Sequence, residues 1–150
     1  MKKAIYVLLA LLMALSMAAC GAKTESAGKQ TASAYLDQSE DAVIEVTVDL
    51  SGGWSVEFVR GAAYLYDSEI TEGNDGVAMI VSLSKEVYEE HLAEAMQDAN
   101  HREADGGVYY TYYEGEGAYL ASLNDSAYVL ITAKADIETI ASRFSLALAQ

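Results

Sequence analysis

A strict alternation of apolar and polar side chains over residues 44–58 constrains the fold of this chain more than any other feature. Every second residue from Ile44 to Leu50 is aliphatic, and the residues between them are polar. Trp54, Val56 and Phe58 repeat the pattern after a Ser-Gly-Gly sequence at 51–53. A period of two places one face of a strand in a core and the other in water, and a short glycine link is typical of a hairpin. The sequence therefore predicts an antiparallel pair.

Further strands and two helices follow this pair. Strand-length runs cover residues 63–67, 77–83, 108–114, 118–123 and 127–133, and the second of them is apolar on both sides, as in a central strand. Ser84 is placed to cap a helix that ends near Asn100, and Asp136 to cap a closing helix. The apolar stripe of the closing helix consists of Ile137, Ile140, Ala141, Phe144 and Leu148.

The order of these elements is ββββ-α-βββ-α, with connections short enough for hairpins. It predicts an α+β fold, an antiparallel sheet of about six to seven strands with both helices packed on one face. This order resembles that of the small α+β domains of the PsbP and Mog1 type, which carry helices against an antiparallel sheet. The resemblance implies an architecture only, because fold similarity does not transfer function.

The N-terminus has the pattern of a secretory signal. Lys2 and Lys3 precede an apolar run at 4–15, which is too short for a membrane-spanning helix, and small residues follow. The sequence Met-Ala-Ala-Cys at 17–20 resembles the lipobox of bacterial lipoproteins, with Met17 where leucine is usual. The resemblance implies that residues 1–19 are a cleaved signal peptide and that Cys20 carries a diacylglyceryl group. The protein would then be anchored on the extracytoplasmic side of a bacterial cell membrane. The alternative is a secreted protein cut after Ala19.

Residues 20–40 are rich in Ala, Ser, Thr, Gln and Lys without a sustained apolar period, as in flexible linkers. They are predicted to tether a single domain that covers residues 41–150. Tyr35 and Leu36 are the large apolar residues of this segment, and two alternatives remain for them. They pack on the domain as an N-terminal extension, or they open a short helix.

The chain is strongly acidic, with 23 Asp and Glu against 9 Lys and Arg and a formal charge of −14. Loss of Lys2 and Lys3 with the signal peptide leaves seven basic residues and a formal charge of −16. Such a surface repels phosphate backbones and anionic headgroups. We therefore expect no nucleic-acid partner and no membrane contact other than the lipid. Because Cys20 is the only cysteine, no disulfide stabilises the domain.

Tyrosines are concentrated on the last three predicted strands. Tyrosine offers stacking area with a hydroxyl, which suits a sugar, a peptide or a protein partner. It is also a common residue for ordinary packing between neighbouring strands. The tyrosines proposed as a binding surface are Tyr109, Tyr110, Tyr112, Tyr113, Tyr119 and Tyr128.

Catalytic and metal-binding patterns are weak. His101, Glu103 and Asp105 are the best candidates for metal ligands, but one histidine and two carboxylates occur easily together in so acidic a chain. His91 lacks a second histidine four residues away, and it is better explained as a residue at the edge of the core. No serine lies in a G-x-S-x-G sequence. No catalytic residue and no cofactor is predicted.

These observations favour a membrane-anchored extracytoplasmic lipoprotein that acts as a non-enzymatic binding module. Its partners are expected to be the membrane, through Cys20, and an envelope protein or glycan. The alternative is a small envelope hydrolase that uses carboxylates or a metal held in the loop around His101.

Overall fold

The computed structural model describes residues 30–36, 42–71 and 76–149, together with the backbone of 23–25. Cys20 and the predicted signal peptide lie outside these ranges. Within them the chain forms eleven strands, two α-helices and a 3-10 turn at Tyr113–Gly115. The helices are α1 (Lys85–Gln97) and α2 (Ile137–Ala141). The strands are β1 (Lys23–Glu25), β2 (Thr31–Leu36), β3 (Ile44–Asp49), β4 (Ser55–Val59), β5 (Ala62–Tyr66), β6 (Ala78–Leu83), β7 (Arg102–Ala104), β8 (Gly107–Thr111), β9 (Gly117–Asn124), β10 (Ala127–Ala133) and β11 (Phe144–Leu148).

The strands form two antiparallel sheets. The large sheet has the order β1-β4-β5-β6-β10-β9-β8-β7, and the small sheet has the order β11-β3-β2. Strands β4 to β6 form a meander, α1 follows, and β7 to β10 form a second meander that returns beside β6. Two predictions are therefore confirmed. The strand at 77–83 lies centrally in the large sheet, and the strands predicted at 108–114, 118–123 and 127–133 pair in sequence order.

The main core lies between the two sheets. Aliphatic residues from the inner faces of both sheets fill it, and most of them are inaccessible to solvent. From the small sheet come Leu36, Ile44, Val46 and Val48, and from the large sheet Val56, Leu65, Ile80, Val129 and Ile131.

The two helices pack on opposite faces of the large sheet, so the prediction that both lie on one face is wrong. Helix α1 covers the face that carries Val108, Leu120 and Leu130. Helix α2 lies on the other face, where Ile140 joins the core between the sheets. The physical reason is visible in β10, whose seven residues are all buried because both of its faces are covered. Within the described ranges, neither helix is long and apolar enough to cross a bilayer.

The predicted hairpin between the first two alternating strands is also wrong, because β3 and β4 belong to different sheets. Gly52 and Gly53 both have positive φ angles, 86° and 91°, and turn the chain out of the small sheet into the large one. Arg143 holds this connection. Its Nη1 donates to the carbonyl oxygens of Asp49 and Ser51 at 3.1 and 3.2 Å, and its guanidinium lies 4.2 Å from the Trp54 ring.

The segment predicted as a tether contributes two strands. Strand β2 pairs with β3, and Leu36 is fully buried between the sheets. Strand β1 pairs with β4 at the edge of the large sheet. Of the two alternatives for Tyr35 and Leu36, the structure shows the N-terminal extension that packs on the domain. Strands of the folded domain therefore begin before residue 41.

The predicted closing helix ends early. Helix α2 stops at Ala141, and Phe144–Leu148 forms β11 against β3. Phe144, Leu146 and Leu148 fit a strand as well as they fit a helix, since every second residue is large and apolar. Strand β3 would lie at the edge of the small sheet without β11, and its backbone groups decide between the two by offering hydrogen-bond partners to residues 144–148.

Candidate functional site

The six tyrosines proposed as one surface do not form one surface. Neighbouring residues of β8 point to opposite faces of the large sheet, so Tyr109 and Tyr110 are separated. Tyr109 and Tyr119 lie on the face towards the small sheet and α2, whereas Tyr110, Tyr112 and Tyr128 lie under α1. Tyr113 lies beyond the end of β8 and is 73% exposed.

Tyr109 and Tyr119 form a structural pair. Their ring centroids are 4.5 Å apart, and the Arg102 guanidinium lies 5.3 Å from the Tyr109 ring. Arg102 also forms an ion pair with Glu138 of α2. The Tyr119 hydroxyl donates to the Asp105 carbonyl at 3.2 Å. Burial raises the pKa of both tyrosines, so both hydroxyls stay protonated at neutral pH. These contacts tie α2 and the turn after β7 to strands β8 and β9.

Tyr128 is also used in packing. Its ring stacks on Tyr88 of α1 with 4.4 Å between centroids, and it is only 5% exposed. Its hydroxyl donates to the Asp125 carbonyl at 2.5 Å. Tyr128 therefore fixes α1 and the β9–β10 turn, and little of its surface is available to a ligand.

The remaining three tyrosines meet at a concave site, which we call the aromatic notch. It has a volume of about 310 Å³ and lies between α1, the end of β8 and the 3-10 turn. The Tyr110 and Tyr112 rings are perpendicular, with centroids 6.3 Å apart, and the His91 ring is tilted 58° to Tyr112 at 5.7 Å. The notch is lined by His91, Glu94, Tyr110, Thr111, Tyr112 and Tyr113.

The polar groups of the aromatic notch surround His91. Its Nδ1 lies 3.4 Å from a Glu94 carboxylate oxygen and 3.5 Å from the Tyr110 hydroxyl. Burial, assisted by the nearby Tyr112 and Glu94, raises the pKa of Tyr110 far above its ordinary value. The Tyr110 hydroxyl therefore stays protonated at neutral pH. Glu94 projects from the exposed side of α1, and its side chain is 66% accessible to solvent.

Two local structures position the walls of the aromatic notch. The side chain of Ser84 caps α1 by accepting from the Val87 amide at 3.3 Å. Beyond the other end of α1, the Asp98 carboxylate accepts from the Asn100 amide at 2.9 Å and from the Thr111 amide at 2.6 Å. These backbone hydrogen bonds lower the pKa of Asp98. Asp98 thus joins α1 to β8 beside the notch.

The 3-10 turn exposes Tyr113. The Tyr112 amide donates to the Glu116 carbonyl at 2.7 Å, which closes a tight loop, and Glu114 and Gly115 adopt positive φ angles of 56° and 83°. The short connection predicted at residues 115–117 is present, but the strand before it ends at Thr111 and not at residue 114, and the turn begins at Tyr113. Gly115 tolerates the positive φ that this turn requires.

The predicted metal ligands lie along a short edge segment. His101 Nδ1 is 2.7 Å from the Asp98 carbonyl, while Glu103 in β7 and Asp105 in the following turn are exposed. Throughout the part of the chain that the structure describes, no group of three or more His, Cys, Asp and Glu side chains is close enough to hold a metal ion.

Comparison with protein-family models, with curated proteins and with solved structures finds no match to this chain.

Proposed function

We propose that this protein is a lipid-anchored extracytoplasmic binding protein without enzymatic activity, and that its domain takes a carbohydrate of the cell envelope in the aromatic notch. The observation that carries the proposal is Tyr113, a residue that is 73% exposed at a concave site walled by Tyr112 and His91. The other five tyrosines proposed from the sequence pack against neighbouring side chains, whereas Tyr113 is largely open to solvent.

The chemistry of the aromatic notch suits a sugar ring. An aromatic ring with a free face stacks on the C–H face of a pyranose, and tyrosine adds a hydroxyl for hydrogen bonding. The Glu94 carboxylate and the Thr111 hydroxyl accept hydrogen bonds from sugar hydroxyls, and both line the same site. A volume of about 310 Å³ lies at the small end of the range for ligand sites and fits one or two rings of a longer chain.

The anchor rests on the resemblance of residues 17–20 to a lipobox. Two acyl chains on Cys20 hold a protein stably on a bilayer, whereas one chain gives only reversible binding. The formal charge of −14 for the whole chain makes an anionic partner such as a nucleic acid unfavourable.

The binding proposal is tested with N-acetylglucosamine oligomers as the probe. We expect saturable NMR shifts for amides at 91–94 and 110–113, and at least tenfold weaker binding for Tyr113→Ser and Glu94→Gln. Tyr64→Ser is the matched control, because Tyr64 is an exposed tyrosine on β5, outside the notch. Shifts that do not saturate, or equal weakening by Tyr64→Ser, contradict a sugar site in the notch.

The anchor is tested by expression of the full chain in a bacterium fed an alkyne-bearing fatty acid. We expect a labelled protein in the membrane fraction and an unlabelled Cys20→Ser variant. A wild-type protein that is unlabelled and secreted, with a new N-terminus at Cys20, would support the alternative of ordinary secretion.

A further inference from the structure

We propose that one end of the domain, which carries Tyr35, Val43 and Leu148, rests on the lipid surface to which Cys20 is attached. The inference depends on the anchor of the proposed function but not on the aromatic notch. A flexible tether over residues 20–40 would let the domain move freely above the membrane. The contact proposed here instead holds the domain close to the membrane in a single orientation.

The linker between the anchor and the folded domain is short. Strand β1 begins at Lys23, three residues after Cys20. Because a fully extended chain spans at most about 3.6 Å per residue, Cys20 lies within about 11 Å of Lys23. Strand β1 is paired with β4, with Lys23 opposite Phe58, so it belongs to the large sheet. A diacylglyceryl group on Cys20 therefore holds this sheet near the headgroups.

The direction of β1 shows which end of the sheet faces the membrane. Since β1 is antiparallel to β4, the chain leads back from Lys23 towards the turn at Arg60 and Gly61. The Gly61 carbonyl accepts from the Ser82 amide at 3.1 Å, and the next residue, Leu83, lies opposite Tyr128 at the start of β10. The β4–β5 turn and the β9–β10 turn therefore lie at the same end, which we call the anchor end.

The anchor end carries an exposed apolar patch. Tyr35, Val43 and Leu148 are 62%, 38% and 40% exposed. With Asn124 and Ser126 of the β9–β10 turn they line an open depression of about 550 Å³. Large apolar side chains that are both exposed and adjacent mark an interaction surface more often than scattered ones do.

A lipid surface fits this patch. Tyrosine is enriched at membrane interfaces because its ring packs on acyl chains while its hydroxyl stays in the headgroup layer. The acidic charge of the chain as a whole opposes anionic membranes, and the exposed Asp125 of the β9–β10 turn adds to it. The residues that line the patch are uncharged, which suits a neutral lipid surface. A weak contact is sufficient here, because the anchor keeps the patch at a high effective concentration near the lipid.

The test uses the full lipidated chain with Val43→Cys, labelled with a polarity-sensitive fluorophore. The Cys20 sulfur is consumed in its thioether, so the introduced cysteine is the only free thiol. Lys134→Cys is the matched control, because Lys134 is exposed and follows the opposite end of β10. On phosphatidylcholine vesicles that contain nitroxide-labelled lipid, we expect quenching at 43 to exceed quenching at 134 at least threefold. Tyr35→Ser with Leu148→Ser should remove most of that difference.

Equal quenching at the two positions, on vesicles that carry the protein with them on flotation, overturns the orientation and leaves the anchor intact. Failure of the wild-type protein to float with vesicles overturns the anchor and this inference together. A concentration-dependent dimer of Cys20→Ser that is lost with Tyr35→Ser and Leu148→Ser would assign the patch to a second copy of the chain and also overturn the inference.

Discussion

The two faces of the large sheet are built from different residues and are closed in different ways. The face towards the small sheet is mainly aliphatic, with Leu65, Ile80 and Ile131 at most 1% exposed, and Tyr109 and Tyr119 lie on it beside α2. The face under α1 is rich in tyrosine, and Tyr88 and Tyr112 remain partly open to solvent. The small sheet covers the first of these faces with its own apolar face. Helix α1, with only 13 residues, covers part of the other face.

From this difference we infer that one face of the large sheet serves stability and the other serves binding. The side chains that form the core between the sheets are almost all inaccessible to solvent. The α1 face ends in the aromatic notch, where the sheet extends beyond the helix and rings with polar edges reach solvent. Tyrosine is suited to such a boundary because one end of its side chain is apolar and the other is polar. We therefore expect mutations on the first face to act on folding and mutations on the second to act on recognition.

The strongest test of this comparison uses two neighbouring residues of β10. Ile131 points into the core between the sheets and Leu130 points under α1, and both are almost fully buried. Ile131→Ala leaves a cavity between the two sheets. Because the packed sheets cannot shift to fill this cavity, we expect the substitution to cost about 4 kcal/mol of unfolding free energy. Leu130→Ala should cost about 2–3 kcal/mol, because the half-buried Tyr88 and Leu92 can relax into the space. Urea unfolding measures both.

Leu130→Val is the control for the smaller change on the same face, with an expected cost of about 1 kcal/mol. An Ile131→Ala variant no less stable than Leu130→Ala would show that the two faces are equally rigid. That result would remove the physical basis for placing function on the α1 face.

A smaller effect is expected at the N-terminus of α1, which closes the tyrosine face. Ser84→Ala removes the hydroxyl that accepts from the Val87 amide and should cost about 1 kcal/mol. Ser84→Asp keeps an acceptor at the same place and should stay close to the wild type. Amide hydrogen exchange should rise at residues 85–88 and not in β3. An equal rise in the small sheet would mean that α1 and the main core unfold as one unit.

Sequence patterns predicted the strands well because their periodicity is local. The runs around β3, β5, β6 and β10 appear within a residue or two of their expected bounds. The assignment of strands to sheets was not predictable in the same way. A Ser-Gly-Gly link is compatible with a hairpin and with a crossing between sheets, and Arg143, 92 residues after Ser51, holds the second arrangement. Contacts over such a distance leave no periodic pattern.

The site was only partly predictable for a similar reason. Tyr110, Tyr112 and Tyr113 were proposed from the sequence as part of a larger surface, but alternation alone does not show which face a helix will cover. His91 was interpreted as a residue at the edge of the core, and it lies there, 17% exposed and in contact with Glu94. The position of Glu94 beside the tyrosines depends on how α1 packs, and no pattern in its own segment indicates it.

The smallest expected effect depends on pH and concerns Asp98, whose carboxylate links the end of α1 to β8. The Asn100 and Thr111 amides lower the pKa of Asp98 below its ordinary value of 3.8. A lowered folded-state pKa means that Asp98 stabilises the fold fully above about pH 5, and that this contribution disappears as the pH falls through 3.8 towards the folded-state pKa. Asp98→Asn should therefore unfold at lower urea concentration than the wild type at pH 7, and the two midpoints should approach each other as the pH falls below 3.8.

Asp125→Asn separates this effect from a general loss of negative charge, because Asp125 is an exposed aspartate in the β9–β10 turn. It should shift the midpoint little at either pH. A gap between wild type and Asp98→Asn that is the same at pH 7 and pH 3 would show that the Asp98 charge contributes nothing. If the gap closes as expected, NMR signals of Thr111 and Tyr112 should broaden in the wild type over the same pH range, since the clamp that holds β8 against α1 is then released. Asp49 and Asp136 also have pKa values lowered by hydrogen bonds, to Ser51 and to Thr139, so the β3–β4 connection and the N-terminus of α2 should weaken over the same pH range.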